Sequence, residues 1–383
     1  MRALTYWRLS AAYFFYCTFV GAFAPYFGLY LKSLAFTAFQ IGVLMSLYQI
    51  ARIFMPNAWG WLADRTGKGV RIVQLTTLAT LVLYLGVFTG NSFNWLFAVI
   101  GLMCIFWSAP MPLLESVTLG HLGEASSNYG RIRLWGSIGF IVTVIGLGYW
   151  LDQTPIRGLL WVIFGLIAAT LMVTLWLPAV SIPHHDSAQA SVWQILRRPE
   201  VAAFLAACFL MAAAHGVYNT FYSIYLVDHG YSKTVVGLLW ATGVVGEVLM
   251  FLAMSKLTHK FGLRRILLVS FALAVVRFLL IGWGVGSLVL LFIAQPMHAA
   301  TFGSFHASAV AVTQRYFRGR HHSKGQAIYT SVSYGLGGTA GGLLSGWMWD
   351  GAGPAVVFSL CSAGALVAFV LMWRWVKLQP EHA

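Results

Sequence analysis

The segment Gly60–Lys68 reads GWLADRTGK and lies between two long apolar runs. Its two glycines permit a tight turn, and its charged residues mark a polar loop between segments that are otherwise apolar. On both sides of this loop, apolar stretches of about 20 residues recur along the chain, which is the length that a helix needs to cross roughly 30 Å of hydrocarbon. An ordinary basic loop explains the positive charges but not the order Gly-x-Leu-x-Asp-Arg-x-Gly. This motif is therefore the most specific indication of the fold in the chain.

The composition places the chain in a membrane. Hydrophobic residues make up 59% of the 383 residues and charged residues only 9%, whereas an ordinary globular chain carries roughly 25% charged residues. The runs are continuously apolar rather than alternating, which excludes a β-barrel and predicts an all-α integral membrane protein. We predict twelve spanning helices, over residues 9–31, 38–63, 71–90, 94–119, 133–151, 158–178, 200–227, 234–257, 266–284, 287–314, 326–349 and 354–376.

The net charge of +14 is distributed by loop. Basic residues concentrate at both termini and in alternate loops, whereas the opposite loops hold only Lys32, Arg157 and Lys233. The positive-inside rule therefore predicts that both termini are cytoplasmic, and the short loops are typical of a bacterial inner membrane. The basic residues form no single patch or stripe, which argues against nucleic acid as a partner. All four cysteines lie in predicted spans, so a disulfide framework is not expected.

The chain also carries an internal repeat. Shifting the sequence against itself by 195 residues aligns the first five spans without a gap, and it places Gly67 on Gly262 and Gly130 on Gly325. Parallel repeats of this kind predict two pseudo-symmetric bundles of six helices. We assign residues 1–180 and 199–383 to the two bundles. A polar cytoplasmic linker at 181–198 joins them, and it contains His184, His185, Asp186 and Ser187.

The loop at 60–68 resembles the signature loop of the major facilitator superfamily. In that family the aspartate and the following arginine lock the cytoplasmic ends of helices together, and the glycines allow the tight turn. The resemblance therefore implies gating roles for Gly60, Asp64, Arg65 and Gly67. The equivalent loop of the second half keeps Lys260 and Gly262 but has lost the acid.

A few ionisable residues fall inside predicted spans, where each costs at least about 2.5–3.5 kcal/mol on insertion scales. Each is therefore expected to be paired, hydrated or functional. Glu115 and Arg133 lie on consecutive antiparallel helices, where they can form an ion pair, and a purely structural pair is an open alternative. The full set is Arg52, Glu115, Arg133, Glu247, Arg277, His298 and His306.

Several of these positions resemble the lactose permease group. The segment 129–136 reads YGRIRLWG, with Glu115 eighteen residues before Arg133, and in that group the matched acid and arginine bind substrate in a central cavity. Glu247, Arg277 and His298 fall where lactose permease carries polar residues of its eighth, ninth and tenth helices. One turn after the histidine this chain has Thr301 instead of the glutamate found in that group.

A resemblance to the phenylpropionate permease family extends over nearly the whole chain. It rests on the segment 131–137, on Gly246-Glu247-Val248 and on the spacing of His298, Thr301, Phe302 and His306. The resemblance implies proton symport of aromatic acids such as 3-phenylpropionate.

An aromatic carboxylate requires a cation and flat apolar walls. Arg133 or Arg277 can supply the cation. Candidate rings are Tyr26, Tyr222 and Trp135, together with Tyr30 and Tyr225, although any one of them can equally be an interface anchor or a packing residue.

Proton coupling requires a group that changes charge in the working pH range, such as a histidine or a buried glutamate. We predict that Glu247 carries the proton, with His298 as relay and Arg277 as the partner of Glu247 when substrate is absent. His306 is a further candidate for the same pathway. For both His298 and His306, a hydrogen-bonded packing role is an open alternative, because a lone membrane histidine often serves packing.

The expected partners are therefore a small organic solute, protons and the lipid bilayer, with the monomer as the functional unit. A sugar or nucleoside symporter and a drug/proton antiporter are alternatives on the same fold. An intramembrane enzyme would need a nucleophile with its base or a metal set, and the sequence has neither His-Glu-x-x-His nor Gly-x-Ser-x-Gly. No ATP-binding loop is present either, so we expect no catalytic residues, no cofactor and no metal.

Overall fold

A computed structural model describes residues 3–122, 129–178 and 192–378. These residues are helical apart from short turns and contain no strand, which confirms the predicted all-α class. We label the spanning segments α1 to α12: Ala3–Ser33, Ala38–Thr66, Gly69–Phe88, Phe93–Leu122, Tyr129–Gln153, Gly158–Leu175, Pro199–Asp228, 233–261, 263–283, Leu288–Tyr316, 322–352 and Pro354–Trp375.

Ten stretches of the described chain are long and apolar enough to cross a membrane. One of them, Lys233–Trp283, contains both α8 and α9, which meet at Gly262 with φ 76°. The more polar α11 coincides with the remaining predicted span. Large apolar side chains such as Leu252 and Trp347 are 76% and 71% exposed in the isolated chain, which lipid tolerates and water does not. The protein is thus a multi-pass membrane protein.

Local chemistry explains where several helices begin and end. Thr37 caps α2 through a capping box, since its hydroxyl accepts from the backbone of Gln40 and the Gln40 side chain accepts from the backbone of Thr37. Gly67 ends α2 in the left-handed region, with φ 64°. Its partner in the 195-residue repeat, Gly262, also has positive φ and ends α8, but its ψ is 154° where that of Gly67 is 12°. The two halves therefore break at the same place with different backbone turns.

The described helices group into two compact units. The first contains residues within 1–186 together with 230–241, and the second contains residues within 187–229 together with 242–383. In the first unit, α1 packs along α5 and α6. The start of α8 belongs to this unit, where Asp152 accepts hydrogen bonds from the backbone N–H groups of Lys233 at 2.7 Å and Thr234 at 2.9 Å.

In the second unit, α7 packs along α11 and α12. The glycine-rich surface of α11 permits a close approach to α7, because a Cβ atom added at Gly337 would lie 2.6 Å from the carbonyl oxygen of Phe209. Of the predicted linker at 181–198, only residues 192–198 are described, and they include a short helix at Trp193–Leu196; the four polar residues named above lie outside the described residues.

Two spans of the second unit contain a wide π-helical turn. These turns lie at Ala299–Ser304 in α10 and at Ser331–Gly337 in α11. Interruptions of this kind shift the following side chains around the helix axis and occur frequently at functional sites. The turn in α10 contains Thr301, which is fully buried.

Candidate functional site

The second unit contains a fully buried arginine that has no acidic partner among the described residues. Arg277 in α9 has no exposed surface. Its Nη1 lies 3.4 Å from Nε2 of His215 in α7 and 3.3 Å from Oγ1 of Thr301 in α10. Neutral groups therefore hold Nη1 of the guanidinium. Its Nε and Nη2 atoms make no hydrogen bond within the described chain, and we call them the unused edge of Arg277.

Aromatic rings surround this guanidinium. Its central carbon lies 4.4 Å from the ring centre of Tyr218 and 5.5 Å from that of Phe278. The His215 ring is 5.6 Å from both Phe278 and Phe302. Such rings stabilise a cation by their electron-rich faces and form flat apolar walls.

An amide fixes two of the tyrosines. Gln295 is fully buried; its side-chain oxygen accepts from the Tyr218 hydroxyl at 3.0 Å, and its side-chain nitrogen donates to the Tyr222 hydroxyl. The two tyrosine rings stack with centres 4.6 Å apart. Tyr222, predicted as a ring contact, thus lies in the same cluster as Arg277, with Tyr218 between them.

Glu247 and His298 are neighbouring polar residues beside the rings that surround Arg277. Nε2 of His298 in α10 lies 3.7 Å from Oε2 of Glu247 in α8, and Nδ1 of His298 is buried with no partner among the described residues. Small residues allow the two helices to meet, since a Cβ atom at Gly303 would lie 3.2 Å from Cγ of Glu247. Within the described chain, the Glu247 carboxylate lies beside the His298 imidazole and forms no ion pair with Arg277, contrary to the pairing expected in the empty protein.

His306 lies one step further along α10. The Phe302 ring stacks on the His298 ring at 5.1 Å, and the His306 ring follows at 6.3 Å from Phe302. Nδ1 of His306 lies 2.8 Å from the hydroxyl of Tyr334 and 3.3 Å from that of Tyr329. His298 and His306 therefore belong to one row of rings, and His306 ends that row in a cluster of hydroxyl groups.

The predicted residues of the first unit form a separate polar group. The Tyr129 hydroxyl donates to Oε1 of Glu115 at 3.2 Å, and Nη1 of Arg133 lies 3.9 Å from Sγ of Cys17. The Arg133 guanidinium also lies 5.7 Å from the ring centre of Tyr13. Arg133 and Glu115 make no direct ion pair in the part of the chain that the structure describes, so the expected pairing is replaced by contacts through tyrosines.

The other predicted rings of this unit have structural partners. The Trp135 indole donates to the Tyr6 hydroxyl at 3.1 Å. The Tyr26 hydroxyl donates to the carbonyl oxygen of Val144 at 2.5 Å, and Tyr26 is fully buried. These contacts are those of helix packing, the alternative that the sequence had left open for each ring.

The signature loop lies at the end of α2. Asp64 and Arg65 are exposed in the last turn of this helix, and the Arg65 guanidinium lies 5.3 Å from the Trp61 ring. Gly60 is within the helix, where a Cβ atom would meet nothing within 4 Å, whereas Gly67 has the positive φ that the turn requires.

Several residues that surround Arg277 were not predicted from the sequence. His215, Tyr218 and Gln295 were not among the candidates, and Thr301 was noted only as a missing glutamate. The available signal was the presence of two polar side chains, His215 and Gln295, inside runs that are otherwise apolar. Nothing in the linear sequence places them beside Arg277.

Comparison with known proteins agrees with this architecture. A protein described as "Probable 3-phenylpropionic acid transporter" from Escherichia coli K12 is 29% identical over 384 residues, covering 97% of this chain and 98% of that protein. A maltose permease from Geobacillus stearothermophilus is 28% identical over 368 residues, covering 92% and 91%.

Solved structures show the same fold. The crystal structure of the nucleoside transporter NupG superposes with a TM-score of 0.85 at 18% identity, covering 99% of this chain and all of that chain. The family model described as "MFS_1 like family" matches residues 6–360. The chain therefore belongs to the MFS_1-like family and is a membrane transporter of the major facilitator superfamily.

Proposed function

We propose that this transporter takes up a small aromatic carboxylate, such as 3-phenylpropionate, together with a proton. The observation that carries the proposal is the unused edge of Arg277. A buried polar group without a partner costs about 1–3 kcal/mol, and a charged group costs more. Both Nε and Nη2 of Arg277 are in this state within the described chain, so a ligand that satisfies them recovers that free energy.

The geometry of the unused edge favours a carboxylate. The N–H group of Nε and one N–H group of Nη2 point in parallel from the same side of a guanidinium, and together they match the two oxygens of a carboxylate. Nη1, on the other side, is already engaged by His215 and Thr301. A neutral sugar hydroxyl or nucleoside base would use this pair of donors less well and would leave the buried charge uncompensated.

The surrounding rings favour an aromatic group on the ligand. Tyr218 and Phe278 face the guanidinium, and Phe302 stacks on His298 within the same cluster. A phenyl ring attached to the carboxylate by a short chain would lie against such surfaces and bury apolar area at roughly 25 cal/mol per Å². The likeness to a protein described as a 3-phenylpropionic acid transporter supports the same ligand class.

Proton coupling is assigned to Glu247 and His298. The Glu247 carboxylate and the His298 imidazole lie 3.7 Å apart, close enough for a proton to pass between them, and both side chains can carry a proton. In the proposed cycle Glu247 is protonated as the substrate carboxylate reaches Arg277, and the proton leaves on the opposite side of the membrane. His298 relays it, with His306 and its tyrosine partners as the next groups along α10.

The remaining assignments follow from the family and from the charge pattern. Glu115 and Arg133 are proposed to contribute substrate contacts from the first unit, and the loop with Asp64 and Arg65 is proposed to gate the cytoplasmic side. The loop charges support a cytoplasmic position for both termini, and the protein is proposed to work as a monomer in a bacterial inner membrane.

A sugar or nucleoside proton symporter is the second candidate. It is favoured by the 28% identity to a maltose permease and by the 23% identity over 344 residues to the nucleoside permease NupG of Escherichia coli K12. A drug/proton antiporter on the same fold is a third candidate. We prefer the aromatic acid to these substrates because its carboxylate would pair with the two unused donors of Arg277, Nε and Nη2.

The test is uptake into proteoliposomes of labelled 3-phenylpropionate, maltose and uridine, with an inward proton gradient and again after a protonophore. Accumulation of the acid alone, lost with the protonophore, is the expected result. Protein-free liposomes measure passive entry of the neutral acid and are subtracted. Gradient-driven uptake of uridine or maltose without uptake of the acid would replace this proposal by the second candidate.

A further inference from the structure

His215 is buried among aromatic rings in the middle of α7, with 4% of its surface exposed. Its Nδ1 lies 2.9 Å from the carbonyl oxygen of Met211, one turn earlier in the same helix. A carbonyl oxygen only accepts hydrogen bonds, so Nδ1 carries the proton in this contact. In the neutral ring, Nε2 is then left as an acceptor.

This acceptor faces Arg277. Nε2 of His215 lies 3.4 Å from Nη1 of Arg277, which is always a donor, and 3.5 Å from Oγ1 of Thr301. The Met211 carbonyl thus determines the tautomer, and the tautomer presents a lone pair to the guanidinium. A backbone atom of α7 thereby controls the orientation of a side chain on α9.

The chemical identity of the partner is as important as its position. Aspartate or glutamate at position 215 would neutralise Arg277 and would compete with an incoming anion. A neutral imidazole accepts one hydrogen bond and leaves the positive charge in place. By holding Nη1 it also restricts the rotation of the guanidinium, while Nε and Nη2 stay without hydrogen-bond partners in the described chain.

We propose that His215 is a positioning residue that holds Arg277 by Nη1 and keeps its Nε–Nη2 edge charged and available, which makes the site selective for a carboxylate over its neutral amide. This inference rests on the proposed function, since it concerns the same ligand class. It gives α7, the helix that carries His215, a role in specificity in addition to the roles proposed for Arg277, Glu247 and His298.

Two substitutions of His215 distinguish a role in orienting Arg277 from a role in packing alone. In His215→Asn, the side-chain nitrogen can still donate to Met211, but no acceptor reaches Arg277. In His215→Gln, the side-chain oxygen reaches the position of Nε2 and can accept from Arg277. We measure the binding of 3-phenylpropionate and 3-phenylpropionamide to each purified variant by isothermal titration calorimetry, and we compare the ratio of their dissociation constants.

We expect the wild type to prefer the acid over the amide. Loss of the hydrogen bond to the guanidinium should reduce this preference by about tenfold in His215→Asn, mainly through weaker binding of the acid. His215→Gln should retain the preference within about threefold of the wild-type ratio. A merely structural role would weaken acid and amide equally and would not be rescued by glutamine.

The outcomes distinguish this inference from the proposed function. A wild type that binds neither ligand, or does not prefer the acid, overturns the proposed function. A wild-type preference that persists undiminished in His215→Asn overturns the role of His215 and leaves the proposed function standing. If His215→Asn does not fold, His215→Leu, which fills the site but offers no acceptor to Nη1, takes its place in the comparison with His215→Gln. Only the leucine variant should lose preference, and equal preferences in both variants would overturn the inference.

Discussion

Replacing Arg277 by lysine tests the carboxylate hypothesis most directly. Lysine keeps the positive charge but cannot present two parallel N–H groups to one carboxylate. A hydrogen bond to a charged group contributes about 1.5–3 kcal/mol. The structure leaves two donor atoms, Nε and Nη2, without partners among the described residues, and lysine is expected to replace the interaction of one of them.

The loss of one such bond corresponds to roughly 10- to 150-fold weaker binding of the acid. Arg277→Gln removes the charge as well as the paired donors, so its effect should exceed that of lysine. Binding of 3-phenylpropionamide should change much less in either variant, because the amide does not use the charge.

Dissociation constants are measured by calorimetry on purified protein, and thermal unfolding of each variant verifies that it is folded. Arg265→Lys is the matched control, since Arg265 is an exposed arginine near the start of the same helix. Wild-type affinity for the acid in Arg277→Lys, or equal loss of acid and amide binding, would refute the assignment of Arg277 as the carboxylate clamp.

Three further results are expected. Glu247→Gln should abolish proton-driven accumulation in proteoliposomes but retain counterflow exchange, because exchange needs no net proton movement; unchanged accumulation would remove Glu247 from the coupling role. Gly139→Ala should destabilise the protein by about 1–3 kcal/mol in thermal unfolding, since its Cβ atom would lie 2.5 Å from a main-chain oxygen of α1. Gly146→Ala, on the same helix with open space around it, should be neutral or stabilising, and equal effects of the two alanines would contradict the packing argument. Asp152→Ala should lower stability by about 1 kcal/mol through the loss of its hydrogen bonds to the start of α8, including the one from Thr234; an unchanged unfolding midpoint would show that this cap contributes nothing.

Helix type and span positions could be predicted because they depend on local properties of the chain. Every described span coincides with a predicted apolar run, and the break between α8 and α9 falls at Gly262, the repeat partner of Gly67. Hydrocarbon forces backbone groups to bond within a helix, so a long apolar run in a membrane has one available structure. The family could be predicted for the same reason, since its signature loop is continuous in sequence.

The candidate site was predictable only in part. Arg277, Glu247 and His298 stood out because each is a costly charge or imidazole in an apolar run. Their partners did not, because a histidine, a glutamine or a threonine in a helix is compatible with ordinary packing. The prediction that Glu247 pairs with Arg277 when substrate is absent followed from the requirements of proton coupling, and the structure places His298 beside Glu247 instead.

The sequence by itself determined that this chain crosses a membrane repeatedly, that it contains an internal repeat with an offset of 195 residues and that it carries a few ionisable groups in apolar runs. Those properties follow from composition, periodicity and the cost of burying charge. Only the tertiary structure decided that Arg277 meets His215 and Thr301 rather than an acid. Helices α7, α9 and α10 bring together residues 24 to 86 positions apart, and the rotation of each helix, including the π-helical turn at Thr301, selects which side chains face one another.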